Sequence, residues 1–300
     1  MKTTFCRVNT SDKLRLDGLL FELERKSKIG ILHLPGRAGN FYANGFLDAM
    51  VQVYIDSGFG FLSVNTRGHD HIADFRIGQT EQLRRIGAAF DIFEECVLDI
   101  DAWLEFFRAR GYEKIILQGH SQGGSRAVYF LNQKLQSDIV ALVLASPADA
   151  AGLLKKYSKQ FFENDLVKAQ DMVVQGRGGE LLPCKIRDFY YVSAKSFVDE
   201  FGHGSKANIF PIFENGDFAK LENIKVPVLA FYGGKEDICI NSPKQDLETI
   251  ARHLKNPKSK TFIIDDADHT YLGFENKVSR SIVDWINKLY GEGDNLSKIK

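Results

Sequence analysis

The chain has 300 residues, of which 44% are apolar and 26% are charged, and this composition is typical of a folded globular protein. Thirty-nine basic residues balance thirty-nine acidic residues, and no segment concentrates one sign of charge, so nucleic acid is not an expected partner. The N-terminal region lacks the apolar stretch of a secretory signal, and no apolar run approaches the ~20 residues that cross a bilayer. The sequence therefore predicts a cytoplasmic protein without a membrane span.

Short apolar segments alternate with longer segments of helical periodicity along most of the chain. The first kind predicts strands at Leu14–Glu24, Ile29–Leu34, Phe59–Asn65, Lys114–Gln118, Ile139–Ala145, Val226–Tyr232 and Lys260–Ile264. The second kind predicts helices at Asn44–Ser57, Phe93–Arg110, Ser125–Leu135, Pro243–Leu254 and Asn276–Tyr290. This alternation predicts an α/β fold with a mainly parallel, twisted sheet and helices on both of its faces.

One interval, residues 147–221, breaks the alternation. It contains helical segments and aromatic residues but no apolar strand. Because it leaves the sheet at the carboxyl edge, where parallel sheets bind their ligands, we expect a helical lid inserted over that edge. Residues 1–146 and 222–290 then form the core of the fold, and residues 291–300 form a flexible tail.

The most specific motif is GHSQG at residues 119–123, which follows the predicted strand Lys114–Gln118 and leads into a predicted helix. A GxSxG motif between a strand and a helix is typical of a nucleophile elbow, a turn so tight that its flanking positions must be glycine. The serine in such a turn has a strained backbone that exposes its hydroxyl at the edge of the sheet. We therefore predict that Ser121 is a nucleophile and that His120 packs beside the turn.

A serine hydroxyl needs a base that removes its proton and an acid that orients the base. In the chain order Ser, acid, His, these partners should lie in the loops after the last two predicted strands. His269 lies in the last of these loops and is the predicted base. Asp237 lies in the preceding loop and is the predicted acid, although Glu236 is adjacent to it and Asp268 is close to the histidine.

Negative charge that develops on a carbonyl oxygen during attack requires fixed N–H donors, which form an oxyanion hole. One donor should be the amide after the nucleophile, that of Gln122, and the other should come from the loop after Ile29–Leu34. In that loop Gly36 allows the backbone to approach a substrate, and the amide of Arg37 is the predicted second donor. The sequence leaves open whether the Arg37 side chain meets solvent or an acidic group of the substrate.

Taken together, these features resemble the α/β-hydrolase superfamily over nearly the whole chain. The matching residues are the GHSQG motif, Asp237, His269 and the loop 35–39. The segments GNFY at 39–42 and SVNTRGHD at 63–70 are similar to a branch of single-domain hydrolases that includes fungal siderophore esterases. Pro35 departs from the pattern, since many relatives have histidine there, which leaves the loop's hydrogen bonding open but not its backbone donor.

A metal site is the main alternative among the remaining motifs. His69 and His71 with Asp74 could ligate zinc, but the spacing falls short of a full metallohydrolase set and no second cluster follows. We therefore expect no metal and no cofactor.

The sequence predicts a serine hydrolase of the carboxylesterase type that cleaves an ester or lactone of a mainly apolar small molecule or natural product through an acyl-enzyme. A thioester or an activated amide passes through the same intermediate, so a thioesterase or amidase is an alternative. A ligand sensor without turnover and a lyase on the same scaffold are two others. The predicted substrate contacts are aromatic residues of the insertion, namely Phe161, Phe162, Tyr190 and Tyr191.

Overall fold

A computed structural model of the chain describes residues 1–24, 27–43, 45–77, 80 and 82–290. In this part of the chain, eight strands form one sheet and two more form a separate hairpin. The strands of the sheet are β1 (Lys2–Asn9), β2 (Arg15–Glu22), β3 (Ile29–Leu34), β4 (Gly60–Val64), β7 (Lys114–His120), β8 (Ile139–Ala145), β9 (Val228–Gly233) and β10 (Lys260–Ile264). The hairpin consists of β5 (Ala73–Arg76) and β6 (Leu83–Ile86). The predicted tail, residues 291–300, lies outside the described residues.

The strand order in the sheet is β1-β2-β4-β3-β7-β8-β9-β10. β1, β2 and β4 pair antiparallel, whereas every pair from β4–β3 to β9–β10 is parallel. β3 and β7 lie at the centre and are buried on both faces, which explains why their sequences are almost continuously apolar. The predicted α/β fold with a mainly parallel sheet is confirmed, and the loops after its parallel strands meet at one edge.

Helices cover both faces of the sheet. They are α1 (Gly45–Asp56), α2 (Cys96–Ala109), α3 (Gln122–Gln133), α4 (Ala150–Val174), α5 (Ala194–Phe201), α6 (Ala219–Glu222), α7 (Pro243–Arg252) and α8 (Glu275–Tyr290). Helices α1 and α8 pack against one face around a core that includes Tyr54 and Trp285. Helices α2, α3 and α7 pack against the other face, where Trp103 and Phe130 are fully buried. Each large apolar side chain buried in this way contributes roughly 1.5–3 kcal/mol of stability.

Between β8 and β9 the chain leaves the sheet and forms α4, α5 and α6. The insertion has an apolar core of its own, whose buried residues are Phe162, Ala169, Met172, Leu182, Ile186, Val192, Ala194, Phe197 and Phe201. Two hydrogen bonds anchor α5 to the segment before α2: the Ser193 amide donates to the Ala89 carbonyl at 2.7 Å, and the Phe93 amide donates to Asp199 at 2.7 Å. The role of the insertion as a lid stays a prediction.

Some elements differ from the sequence-based expectation. β1 and the hairpin β5–β6 were not predicted. β1 is an edge strand whose residues are mostly exposed, and its sequence therefore has no apolar run. Helix α3 begins at Gln122, directly after Ser121, whereas Ser125 was the predicted start. Among the described residues, no helix is both long enough and apolar enough to cross a bilayer.

Candidate active site

Ser121 occupies the sharp turn between β7 and α3. Its backbone angles, φ 52° and ψ −123°, lie outside the regions that non-glycine residues favour. Such a conformation costs on the order of 1–3 kcal/mol and is commonest at functional sites. A Cβ atom on Gly119 would lie 2.5 Å from the backbone of Gly123, and one on Gly123 would lie 2.3 Å from the Leu34 carbonyl oxygen. The two glycines therefore permit the tight turn that the motif predicts.

Backbone hydrogen bonds fix this turn at the carboxyl edge of the sheet. The Ser121 amide donates to the carbonyl of Ala145, at the end of β8, at 2.8 Å, and its carbonyl accepts from Gly124 at 3.0 Å. Within the described chain, the Ser121 side chain makes no capping bond to α3 and lines a cavity above the sheet. Its hydroxyl is therefore presented at the surface of that cavity.

His269 lines the same cavity and is held by a buried carboxylate. Its Nδ1 lies 2.9 Å from Oε1 of Glu236, which also accepts from the Ile238 amide at 2.9 Å. The other oxygen, Oε2, accepts from the Ser146 hydroxyl at 2.5 Å, and the Tyr271 hydroxyl lies 2.6 Å from that of Ser146. With Nδ1 bonded to Glu236, Nε2 is the ring nitrogen that can take up a further proton.

The environment of Glu236 favours its charged form. Burial acts to raise the pKa of this carboxyl, but the hydrogen bond and charge of His269 and the bonds from Ser146 and Ile238 outweigh it and hold the pKa below its ordinary value. An ionised carboxylate is the form that can stabilise a positive charge on the imidazole.

The prediction that Asp237 contacts His269 is wrong in this structure. The Asp237 side chain is 66% exposed and pairs with Arg187, whose Nη2 lies 3.2 Å from Oδ2. Asp268, the other alternative, accepts bonds from the amide and hydroxyl of Thr270 at 2.8 Å each and stabilises its own turn. Glu236 and Asp237 are adjacent in the chain, but only Glu236 points into the protein, and that difference of direction decides which carboxylate meets the histidine.

His120 packs beside the elbow, as predicted. Its Nε2 lies 2.9 Å from the carbonyl oxygen of His269, so Nε2 carries the proton and donates. Burial lowers the pKa of His120 to about 3, and the nearby His269 acts in the same direction, which keeps the ring neutral. The two rings lie 4.7 Å apart, and His120 therefore supports the backbone of the loop that carries His269.

The loop after β3 lies directly against the nucleophile. A Cβ atom on Gly36 would lie 3.2 Å from Cβ of Ser121, which is a tight contact, so glycine favours this close approach of the loop. Arg37 in this loop and Gln122 in the first turn of α3 both line the cavity of Ser121. Gln122 begins α3, and the N-terminal end of a helix attracts negative charge.

The side chains of these two residues share one partner from the insertion. Arg37 forms an ion pair with Glu200 of α5, and Nε2 of Gln122 donates to the same Glu200 oxygen at 2.9 Å. The Arg37 guanidinium also lies 5.9 Å from the ring centroids of Tyr190 and Phe201. The Arg37 side chain thus pairs with a carboxylate of the protein itself. The sequence had left open solvent or an acidic group of the substrate, and neither possibility included this partner.

Two neighbouring cavities are lined by residues of the insertion. The inner one has a volume of about 240 Å³ and is lined by Ser121, His269, Arg37 and Gln122 together with apolar residues of the insertion. The outer one has a volume of about 910 Å³ and a mixed lining of apolar and charged side chains. Leu153, Leu154, Ile186 and Arg187 line both cavities.

The aromatic residues predicted as substrate contacts have different positions. Tyr190 lines the inner cavity, and Phe162 belongs to the apolar core of the insertion and lines the outer cavity. Tyr191 lines neither of the two; it is 43% exposed, and the ammonium group of Lys185 lies 4.3 Å from its ring centroid, so its contact with substrate stays a prediction. Phe161 lies outside the residues whose side chains the structure describes.

The residues of the alternative metal motif contact separate partners. His69 bonds Asp70 at 2.7 Å, Asp74 pairs with Arg85 at 2.9 Å, and His71 stacks on Tyr190. In the part of the chain that the structure describes, no group of three or more His, Cys, Asp and Glu side chains is arranged to hold a metal ion.

Sequence reasoning passed over Glu200, although a signal for it exists. The buried face of α5 consists of Ala194, Ser196, Phe197, Glu200 and Phe201, a spacing of three and four residues that is typical of an apolar helix face. A carboxylate on that face cannot be solvated and requires a buried partner. The partner itself, Arg37, is 163 positions away in the chain and cannot be found from local pattern.

Comparison with known proteins identifies the family. Residues 93–289 match the family described as "Protein of unknown function (DUF1749)", and the chain belongs to that family. No curated protein matches the chain in sequence.

Solved structures identify the fold. The α/β hydrolase GrgF from Penicillium sp. sh18 is 14% identical, with a TM-score of 0.69 over 96% of this chain and 99% of GrgF. Est1E from Butyrivibrio proteoclasticus is 14% identical, with a TM-score of 0.61 over 96% of this chain and 99% of Est1E. The Pyrococcus furiosus esterase Pf2001 is 16% identical, with a TM-score of 0.61 over 96% of this chain and 91% of Pf2001. The α/β-hydrolase fold expected from the sequence is therefore confirmed.

Proposed function

We propose that this member of the DUF1749 family is a serine hydrolase that cleaves carboxylic esters through an acyl-enzyme. Ser121 is the nucleophile, His269 is the general base and acid, and Glu236 orients the histidine. The backbone amides of Arg37 and Gln122 form the oxyanion hole. The observation that carries the proposal is the strained conformation of Ser121 on a cavity that it shares with His269, whose Nδ1 bonds the buried Glu236 at 2.9 Å.

In the first half-reaction, Oγ of Ser121 attacks the carbonyl carbon of the ester while Nε2 of His269 takes the hydroxyl proton. The carbonyl oxygen becomes an oxyanion that accepts from the Arg37 and Gln122 amides. The intermediate then expels the alcohol, which receives the proton from Nε2, and leaves an ester on Ser121. In the second half-reaction water attacks this ester with the same proton transfers, which releases the acid and restores the hydroxyl.

Glu236 acts by holding one tautomer of His269. Its bond to Nδ1 keeps the proton on that nitrogen and directs Nε2 to the serine, and its charge stabilises the imidazolium of each transition state. Ser146, Tyr271 and the Ile238 amide hold the carboxylate in turn. The acid therefore has little freedom to rotate away.

The cavity and the similar structures support the proposed substrate class. The inner cavity is largely apolar and of limited volume, which supports an ester of a mainly apolar small molecule. Pf2001 is named an esterase, and Est1E has been solved with ferulic acid bound. These names support ester chemistry for this chain.

The decisive experiment is covalent labelling with a fluorophosphonate, which reacts with activated serines, followed by intact-mass measurement. We expect a single adduct in the wild-type protein, no adduct in Ser121→Ala, and an unchanged adduct in Ser125→Ala. Ser125 lines the same cavity and is a matched control. Nitrophenyl acetate should show turnover that Ser121→Ala abolishes while the circular dichroism spectrum stays unchanged. Labelling without turnover would favour the ligand sensor, and labelling that persists in Ser121→Ala would refute the nucleophile.

A further inference from the structure

Glu200 joins three segments that are far apart in the chain. It lies on α5 of the insertion, its ion-pair partner Arg37 lies in the loop after β3, and its hydrogen-bond partner Gln122 begins α3. Both bonds are made to the same oxygen, Oε1. A single carboxylate of the insertion therefore contacts both residues whose backbone amides form the proposed oxyanion hole.

Burial makes this contact hard to break. The side chains of Glu200 and Arg37 are only 9% and 12% exposed. A buried carboxylate that loses its partner retains the full cost of its lost hydration, so a paired geometry is strongly preferred to an open one. We infer that the pair constrains the loop of Arg37 to one position relative to α5.

Gln122 is held from its other side as well. Its Oε1 accepts from Nη2 of Arg126 at 3.0 Å, and Arg126 is itself fully buried and paired with Asp91. Because Oε1 faces this guanidinium, the donor Nε2 must face Glu200 at 2.9 Å. The side-chain amide thus has one favourable orientation, and Glu200 supplies the acceptor that completes it.

We propose that Glu200 is a positioning residue that fixes Arg37 and Gln122 for oxyanion stabilisation and that excludes anionic substrates by neutralising Arg37. This inference rests on the proposed function. The insertion then has two roles: it lines the cavity, and it fixes the positions of the Arg37 and Gln122 amides.

The second part of the proposal follows from charge. Arg37 lines the inner cavity, and an unpaired guanidinium there would attract substrates that bear a carboxylate. The ion pair with Glu200 cancels this attraction. Removal of the Glu200 charge should therefore weaken catalysis on neutral esters and at the same time improve the relative acceptance of esters that carry an acid group.

The test compares Glu200→Gln with Glu180→Gln, a matched control in the same insertion. Glu180 is half exposed, forms a surface ion pair with Arg177 and lines neither cavity. We expect Glu200→Gln to lower kcat for nitrophenyl butyrate by about 10–100-fold, less than the ~10²–10³-fold cost of deleting an oxyanion donor. KM should change by less than about threefold, since a positioning residue acts mainly on the transition state. Glu200→Asp should recover part of the loss, and Glu180→Gln should have no effect.

Substrate preference provides a readout that a purely structural role would not change. The kcat/KM of a nitrophenyl hemiester of glutaric acid, relative to nitrophenyl butyrate, should rise about tenfold or more in Glu200→Gln, as one new charge-assisted hydrogen bond would give. The double variant Arg37→Gln/Glu200→Gln should lose this gain and keep the lowered kcat. Because the double variant leaves no unpaired buried charge, it can be assayed even if Glu200→Gln fails to fold.

Hydrogen exchange separates this inference from the proposed function. Amides in peptides spanning 35–40 and 119–124 should exchange faster in Glu200→Gln than in Glu180→Gln, while those of β9 should not change. If the wild-type protein has no Ser121-dependent turnover, the hydrolase proposal fails and hydrogen exchange still tests the positioning role. Unchanged exchange in both segments, or a kcat within about twofold of the wild-type value in Glu200→Gln and in the double variant, would overturn the inference.

Discussion

Glu236 contacts His269 through one carboxylate oxygen, at 2.9 Å, and uses the other oxygen to accept from Ser146. Both oxygens are thus engaged, and the side chain is fully buried. In an arrangement of this kind, the carboxylate has a fixed direction and the histidine a fixed tautomer. The acid of the proposed triad is therefore as constrained as the nucleophile.

The first prediction concerns this acid. Glu236→Gln should lower kcat by about 10²–10⁴-fold, because an amide holds the wrong tautomer of the imidazole and cannot stabilise its charge. Asp237→Asn is the matched control, since Asp237 is the adjacent carboxylate and pairs with Arg187 at the surface. We expect it to retain activity within about threefold. Initial rates with nitrophenyl butyrate measure both, and a greater loss in Asp237→Asn than in Glu236→Gln would contradict the assignment.

The second prediction concerns pH and stability at Asp199. Burial raises the pKa of this carboxyl from 3.8 to about 6, and the charges of Asp91, Glu200 and Glu94 add to the effect, while the bond from the Phe93 amide opposes it. A raised pKa means that protonation favours the folded state, so this contribution is fully present below about pH 4 and is lost as the pH rises through about 6. Asp199→Asn should therefore be more stable than the wild-type protein at pH 8, by about 2–4 °C in Tm, with little difference at pH 4.

Thermal unfolding at several pH values checks this second prediction. Asn keeps an oxygen that accepts from the Phe93 amide, so the substitution removes the charge and retains the hydrogen bond. Asp188→Asn, on an exposed turn of the same insertion, is a suitable control, and its Tm is compared with that of Asp199→Asn at each pH. A Tm difference that stays constant from pH 4 to pH 8 would show that Asp199 is ionised in the same range in both states.

The third prediction concerns His71 and the alternative metal motif. Chelation with EDTA should leave the esterase rate unchanged, since the proposed chemistry uses no metal. His71→Ala should instead raise KM by about two- to fivefold, because His71 stacks on Tyr190 with ring centroids 5.2 Å apart and Tyr190 lines the inner cavity. Loss of activity with EDTA that zinc restores would return the metal site to consideration.

The limits of sequence reasoning follow from where each residue finds its partner. The positions of Ser121 and His269 at one cavity could be predicted, because the elbow motif and the loop after the last strand are recognisable in adjacent residues. The choice between Glu236 and Asp237 could not, since both follow β9 and only the direction of each side chain distinguishes them. Glu200 leaves only the signal of a charge on an apolar helix face, and its partners come from segments that the fold alone brings together.

The strands also differ in how far local sequence predicts them. Strands β3, β7 and β8 are buried on both faces and were predicted within two residues of their ends, because burial demands continuous apolar sequence. β1 escaped prediction because only Cys6 and Val8 of its residues are buried. An edge strand is held by backbone pairing with β2, and backbone hydrogen bonds leave little trace in side-chain pattern.

The last prediction concerns selectivity and the wall between the two cavities. Leu154, on α4, lines both cavities and is only partly buried against the core of the insertion, so a larger side chain there should reduce the cavity volume. Leu154→Trp should lower kcat/KM for nitrophenyl octanoate relative to nitrophenyl acetate by about 10–200-fold, the range for altered apolar contacts, and leave the acetate value unchanged. Tyr191→Ala, outside both linings, should keep the wild-type ratio. If the ratio is the same in Leu154→Trp as in Tyr191→Ala, the insertion does not select the acyl group, and selectivity would have to come from the loops that carry Arg37 and His69.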